Sequence, residues 1–224
     1  TEGFKRLGVL GDWKHPYITY NHAMEARQIG VFGDMYKKGY IYRGLKPVYW
    51  CTDCETALAE AEIEYKDVTT PSIYVKFKVD DSKGLFDEKD TSIVIWTTTP
   101  WTLPGNTGIT VGGEFEYSLI KVTLPDGQKS YNKQNTEKLV VATELVDKVM
   151  KLAGIEEYRT IKTFKGKEMA GIMCHHPFLD RQSKVVIGSE VTVNVDLVEG
   201  TGAVHTAPAY GKEDYLQGLK DNLD

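Results

Sequence analysis

A strand-rich α+β fold, a closed or nearly closed β-barrel with peripheral helices, is expected from three features of this 224-residue sequence. Short segments of strand length, either alternating or continuously apolar, recur beyond Tyr65. Helical periodicity is clear only once among them. No βαβ unit repeats, which disfavours a doubly wound sheet. An N-terminal helical segment and half of a zinc ribbon precede the barrel. Hydrophobic residues make up 41%, charged residues 26% and aromatics 11%, a globular composition that excludes disorder and collagen-like repeats.

From Thr19 to Lys38 the apolar positions Met24, Val31, Phe32 and Met35 predict an amphipathic helix ended by Gly39. A strand-like stretch, Tyr40 to Arg43, follows. Pro47-Val48-Tyr49-Trp50 then reads as a strand running into the tight turn Cys51-Thr52-Asp53-Cys54. Beyond it, Ile73, Val75, Phe77 and Val79 alternate with polar residues, and Ile93 to Trp96 is continuously apolar. Tyr117 to Val122, Leu139 to Ala142, Lys184 to Ile187 and Val191 to Val195 are further strand candidates, with a Pro125-Asp126-Gly127 turn after the first. The one clear internal helix starts at Thr143 as N-cap, carries Leu145, Val149 and Leu152, and stops at Gly154. These changes of character divide the chain into a helical connecting segment (1–46), an incomplete zinc-ribbon half (47–66) and a main domain (67–224). There is no initiator Met, and Lys212 to Leu223 reads as a helix still in progress, so the chain is expected to be an excised piece.

With 27 basic and 32 acidic side chains, net charge -5, a broad basic face for long nucleic acid is not expected, DNA included. Residues 1–50 nevertheless carry eight Lys/Arg against four Asp/Glu, which permits a local phosphate contact there. No apolar run approaches the roughly 18 residues of a spanning helix, and no signal peptide opens the chain. A cytoplasmic protein without a membrane partner is therefore expected. Cys51, Cys54 and Cys174 are too few for a disulfide framework. The Cys51-x-x-Cys54 spacing suits zinc, but a structural zinc site takes about four ligands and only two are obvious. Cys174-His175-His176 is a poor source of the others, because adjacent residues do not readily converge on one tetrahedral ion.

Two strings concentrate the chemistry. In Trp96-Thr97-Thr98-Thr99-Pro100-Trp101-Thr102-Leu103-Pro104-Gly105-Asn106, a buried strand becomes a stiff, aromatic-walled loop with three adjacent hydroxyls at its mouth. In Gly200-Thr201-Gly202-Ala203-Val204-His205-Thr206-Ala207-Pro208, small residues permit close backbone approach and His205 follows a short apolar strand. Asp214 opens the next helix, where a carboxylate is favoured. Threonine is also simply a good strand former, and His205 and Asp214 taken singly suit a core residue and a helix cap. Thr97, Thr98, Thr99, His205 and Asp214 have the residue types of a nucleophile, base and orienter. Without a strained nucleophile turn they better suit noncovalent hydrolysis, with hydroxyls and His205 holding water and Asp214 holding a cation.

Taken together, these strings resemble the connective insertion of bacterial-type isoleucyl-tRNA synthetases, class I enzymes with an editing domain. The resemblance covers essentially all of the chain. It includes Gly8-Val9-Leu10-Gly11-Asp12-Trp13, His15-Pro16-Tyr17, Lys46-Pro47-Val48-Tyr49-Trp50-Cys51, Ala57 to Tyr65 and the two strings above, which match the family's editing motifs. The related valyl and leucyl enzymes carry Arg-Pro after two threonines, where this chain has Thr99-Pro100-Trp101, and valyl enzymes tend to have Lys at the place of His205. The resemblance implies hydrolysis of valine wrongly esterified to isoleucine tRNA, with the tRNA acceptor end and the rest of the synthetase as partners. A non-catalytic module docking the acceptor end is the alternative, and a broad hydroxyl-nucleophile esterase a third reading.

Carried over by motif, Thr97, Thr98, Thr99, His205 and Asp214 are the catalytic set, and Trp96, Trp101, Asn106, His205 and Asp214 hold substrate. Asp214 grips the α-ammonium, and His205 is a size gate that also positions, orienting water and acting as a base being its other roles. Editing needs no cofactor. The family places partners for Cys51 and Cys54 after the insertion, so Zn2+ belongs to the full-length protein, as do ATP and Mg2+ at the synthetic site. The class I signatures His-Ile-Gly-His and Lys-Met-Ser-Lys-Ser are absent from these residues, so this chain is not expected to charge tRNA by itself.

Overall fold

The computed structural model describes residues 1–45, 48–125, 127–128, 130–131 and 133–223. They form two compact units, Thr1–Leu45 and 46–224. The first holds α1 (Glu2–Arg6) and α2 (His22–Lys37). α2 starts where the Asn21 side chain accepts the Ala23 N–H at 2.9 Å, and ends before Gly39, whose φ of +77° is the left-handed conformation glycine tolerates best. None of its residues is buried, and Ile29, Val31 and Phe32 are exposed. Tyr40 to Arg43, expected to be strand-like, forms no strand.

The second unit opens with a hairpin, β1 (Tyr49–Cys51) and β2 (Thr56–Leu58), with Cys51 paired to Thr56. Pro47, where the expected strand begins, lies outside the described residues. Nine strands make the main sheet: β3 (Ile73–Asp81), β4 (Thr91–Thr97), β5 (Gly108–Val111), β6 (Glu116–Thr123), β7 (Thr136–Ala142), β8 (Tyr158–Lys165), β9 (Met173–His175), β10 (Gln182–Ile187) and β11 (Ala203–Thr206). Six of them close a ring in the order β11-β5-β10-β9-β3-β4, sealed by the parallel pairing of Val204 with Trp96. The wing β7-β6-β8 continues from β4. The same strand therefore gives Thr91 to Ile93 to β7 and Trp96 to β11. The closed barrel agrees with the fold expected from the sequence.

Alternation explains β3, where Phe77 and Val79 are buried while Lys78 and Asp80 are exposed. β4 is buried on both faces from Thr91 to Ile95, which is why it reads as a continuous apolar run. Ile93, Ile95, Ile109, Tyr117, Ile120 and Met150 form the heart of the core. Ladder partners held four strands that the sequence signals weakly. β5 and β9 have only four and three residues, β11 is a four-residue strand that contains His205, and β8 is an exposed polar edge.

Two further expectations need correction. Val191 to Val195 alternates like a strand but forms a turn and an extended loop, because the Ser189 and Thr192 hydroxyls bond at 2.8 Å and the Thr192 N–H reaches Ser189 O at 3.2 Å. Thr143 is not an N-cap. It opens a 3-10 turn, Thr143–Leu145, and its hydroxyl bonds Ser118 at 3.0 Å. α3 (Val146–Leu152) begins only after that turn, with Leu152 exposed and Gly154 at φ +66°. Asp126, the centre of the expected turn, lies outside the described residues. α4 (Lys212–Asp221) closes the described fold.

Candidate active site

The strand β4 delivers Trp96 and Thr97 to the barrel mouth, where the chain turns through Thr98 and Thr99 into a 3-10 turn, Pro100–Gly105. Pro100 suits the first position of that turn, since its missing N–H is not needed there. Thr97 Oγ1 accepts the Thr99 N–H at 3.0 Å and lies 3.2 Å from Thr99 Oγ1, so the two side chains brace one bend. Beside it runs β11, whose pairing with β4 and β5 places His205 opposite Ile109. Four residues past Tyr210, Asp214 sits in the first turn of α4, and its Oδ1 accepts the Ala207 N–H at 2.9 Å.

These segments converge on one cavity of about 750 Å3. Trp96, Thr97, Thr98, Thr99, Trp101, His205 and Asp214 all line it. Asn106 does not. It is fully buried, with its amide turned to the His205 ring. The remaining wall comes from Glu190 and the loop after it, with Thr192, Val193 and Asn194, and from Thr102, Val204, Ala207, Tyr210 and Glu213. Nothing in a Val-Thr-Val alternation marks a cavity wall, so these loop residues went unseen. Thr102 was legible as part of the threonine string, and only the fold sets it against His205.

Three carboxylates, Glu190, Glu213 and Asp214, line the cavity, and no Lys or Arg does among the described residues. The charged part of its lining is therefore wholly acidic. Burial raises the Asp214 carboxyl above its ordinary value, opposed by the Ala207 N–H. A bound ammonium would favour its ionised form. The His205 ring is pulled down to about 4, first by burial and then by His176, so it is neutral near pH 7. Its Nε2 lies 2.7 Å from Thr102 Oγ1 and its Nδ1 3.0 Å from Asn106 Nδ2. Both ring nitrogens thus face protein partners.

The hairpin thiols are a separate matter. Cys51 Sγ accepts the Cys54 N–H at 3.4 Å, and that N–H is the first cause holding the thiol below its ordinary value. Two thiols fit half of a tetrahedral zinc site. Among the described residues no group of three or more His, Cys, Asp and Glu is placed to hold an ion. Cys174 is buried, its thiol pushed up by burial, and His176 Nε2 faces Leu103 O at 2.8 Å. No helix among the described residues is long and apolar enough to cross a membrane.

The barrel is similar in fold to the cytosolic leucyl-tRNA synthetase editing domain of P. knowlesi (TM-score 0.50, 13% identity, 67% of this chain and 63% of that one). An isoleucine–tRNA ligase of Moorella thermoacetica is 54% identical over 222 residues, 99% of this chain. One from Caldicellulosiruptor bescii is 56% identical over 217 residues, 95% of this chain. The chain spans 22% of the length of each of these curated relatives. A sequence profile describing tRNA synthetases class I (I, L, M and V) matches residues 1–215. Nearly the whole chain therefore carries the family's pattern, and the protein belongs to the class I tRNA synthetases of the I, L, M and V group, resembling within it a segment of the isoleucine–tRNA ligases.

Proposed function

We propose that this cavity is a hydrolytic editing site that removes valine from mischarged isoleucine tRNA. The observation that carries the reading is the meeting of the threonine bend, His205 and Asp214 around one cationophilic cavity. Asp214 receives the α-ammonium of the aminoacyl ester. The hydroxyls of Thr97, Thr98 and Thr99 hold the attacking water beside the carbonyl, while Trp96 and Trp101 flank the terminal adenosine. Water adds to the ester carbon, the bond to the ribose oxygen breaks, and free valine and uncharged tRNA leave. Both His205 nitrogens are engaged, so the ring serves as a wall that sets side-chain size. A covalent threonine route lacks a base, since no hydrogen bond joins His205 to Thr97, Thr98 or Thr99 among the described residues.

The physical need is a second discrimination step. Valine lacks one methylene of isoleucine, a difference of about 1–3 kcal/mol for which the isoleucyl enzymes are the standard example. A second cavity that admits only the smaller product supplies the rest. Residues 1–46 then connect to the synthetase body, residues 47–66 supply two zinc ligands of a ribbon completed elsewhere in a full-length cytoplasmic ligase, and 67–224 form the editing domain. ATP and Mg2+ serve that enzyme's synthetic site.

Deacylation of valyl-tRNA by this chain, and by a full-length ligase carrying it, tests the proposal. Release of valine from both is expected. A chain and a ligase that retard the tRNA on a gel yet leave the ester intact would make the module a docking surface instead.

A further inference from the structure

The tautomer of His205 is dictated by a chain of hydrogen bonds that begins outside the cavity. Gly108 O only accepts, and it lies 2.8 Å from Asn106 Nδ2, which fixes which end of the amide faces it. The other N–H of that amide points at His205 Nδ1, 3.0 Å away. Asn106 Oδ1 is left for Ser183, whose hydroxyl donates to it at 2.6 Å. Nδ1 must therefore be the bare nitrogen, and Nε2 carries the proton and donates it to Thr102 Oγ1. The Thr102 hydroxyl in turn donates to Thr99 O at 2.9 Å. Every link from Ser183 to the threonine bend runs in one direction.

We infer that Ser183, acting through Asn106, is a positioning residue that locks His205 as the neutral Nε2–H tautomer and so sets the Thr102 and Thr99 side of the cavity. Ser183 and Asn106 are both fully buried, in β10 and just before β5, and neither lines the cavity. An imidazolium would have to aim a second N–H at an amide that already offers one. Exclusion of that charge keeps the cavity attractive to an ammonium, and excludes the ring as a proton acceptor. The catalytic consequence rests on the editing reading, whereas the tautomer does not.

Long-range 1H–15N spectra of the histidine-labelled chain at pH 7 read the tautomer directly. The expected wild-type ring has its proton on Nε2 alone. In Ser183→Ala the amide keeps Gly108 O but its Oδ1 loses the Ser183 hydroxyl, so its orientation is held from one side instead of two, a second population protonated on Nδ1 appears, and valyl-ester kcat falls about tenfold with KM little changed. Ser183→Thr, which keeps the hydroxyl, restores both. A wild-type ring protonated on Nδ1, or a folded Ser183→Ala chain with the wild-type tautomer, overturns the inference. Should Ser183→Ala not fold, Asn106→Asp places an acceptor-only carboxylate at Nδ1 and must move the proton there, and an unmoved proton again overturns it. A tautomer shift in a chain and ligase that never hydrolyse the ester upholds the lock while removing the editing reading.

Discussion

Asp214 and His205 ask opposite things of the fold. Asp214 is a carboxylate whose ionised form is penalised by burial, a cost that a bound ammonium would offset on the editing reading. Asp214→Asn keeps the acceptor for the Ala207 N–H and removes that penalty. Its melting temperature is expected to equal or exceed that of the unaltered chain, while valyl-ester hydrolysis falls by about 100-fold or more, the loss of a charge-assisted contact plus its orientation. A variant with near-normal kcat/KM would remove Asp214 from the site. His205→Ala opens the wall, so hydrolysis of the isoleucyl ester should appear alongside that of the valyl ester. Loss of valyl hydrolysis with selectivity unchanged would refute the gate. The ring also makes the fold acid-sensitive. Its folded value near 4 lies below the ordinary 6.5, so between those values the unfolded chain takes up a proton that the folded ring refuses. Stability is undiminished above about pH 6.5 and is lost toward pH 4 by as much as about 3 kcal/mol. Melting curves of the chain and of His205→Gln, taken from pH 7.5 to 4.5, should shift in favour of the glutamine variant as pH falls.

Among the elements, the start of α4 leaves no room for a side chain beside Asp214. A Cβ on Gly211 would sit 2.3 Å from Asp214 Oδ2. Gly211→Ala must therefore displace the carboxylate, and valyl-ester kcat/KM is expected to drop at least about tenfold while far-ultraviolet circular dichroism is unchanged. What the sequence disclosed about these elements follows from how each is stabilised. β3, β4, β6, β7 and β10 carry their own apolar signature, and α2 its own periodicity and end signals; α4 is readable as a helix, but it ends at Asp221 before Asn222 at φ +51°, where the sequence reads a helix still in progress through Leu223. The short β5 and β9, and the extension of β11 through His205 and Thr206, exist because neighbouring strands satisfy their backbone groups, and no local pattern announces that. The threonine string and the His205 to Asp214 stretch stood out by composition. The turn after Ile187 did not, because two hydroxyls and a close backbone approach at Gly188, where a Cβ would meet Val193 O at 2.3 Å, override the strand propensity of three valines. Asn106 was noticed, but its place behind the ring was beyond any one-dimensional reading.

On the scale of the whole chain, the second compact unit contains the barrel, its core and the cavity, so residues 48–224 alone are expected to melt cooperatively, within a few degrees of the full chain by calorimetry. A truncated chain without a cooperative transition would show that the first unit is needed for folding. The strand β4 has a further implication. One of its edges is shared, its beginning zipped to the wing and its end to β11, so the pleat phase of Trp96 and Thr97 is inherited from Thr91 to Ile93. Slippage by a single residue against β7 would turn the hydroxyl-bearing face away from the cavity. The wing thus keeps time for a chamber that none of its described residues enters, and on the proposed reading a lesion far along the polypeptide would silence hydrolysis without touching a substrate-facing atom.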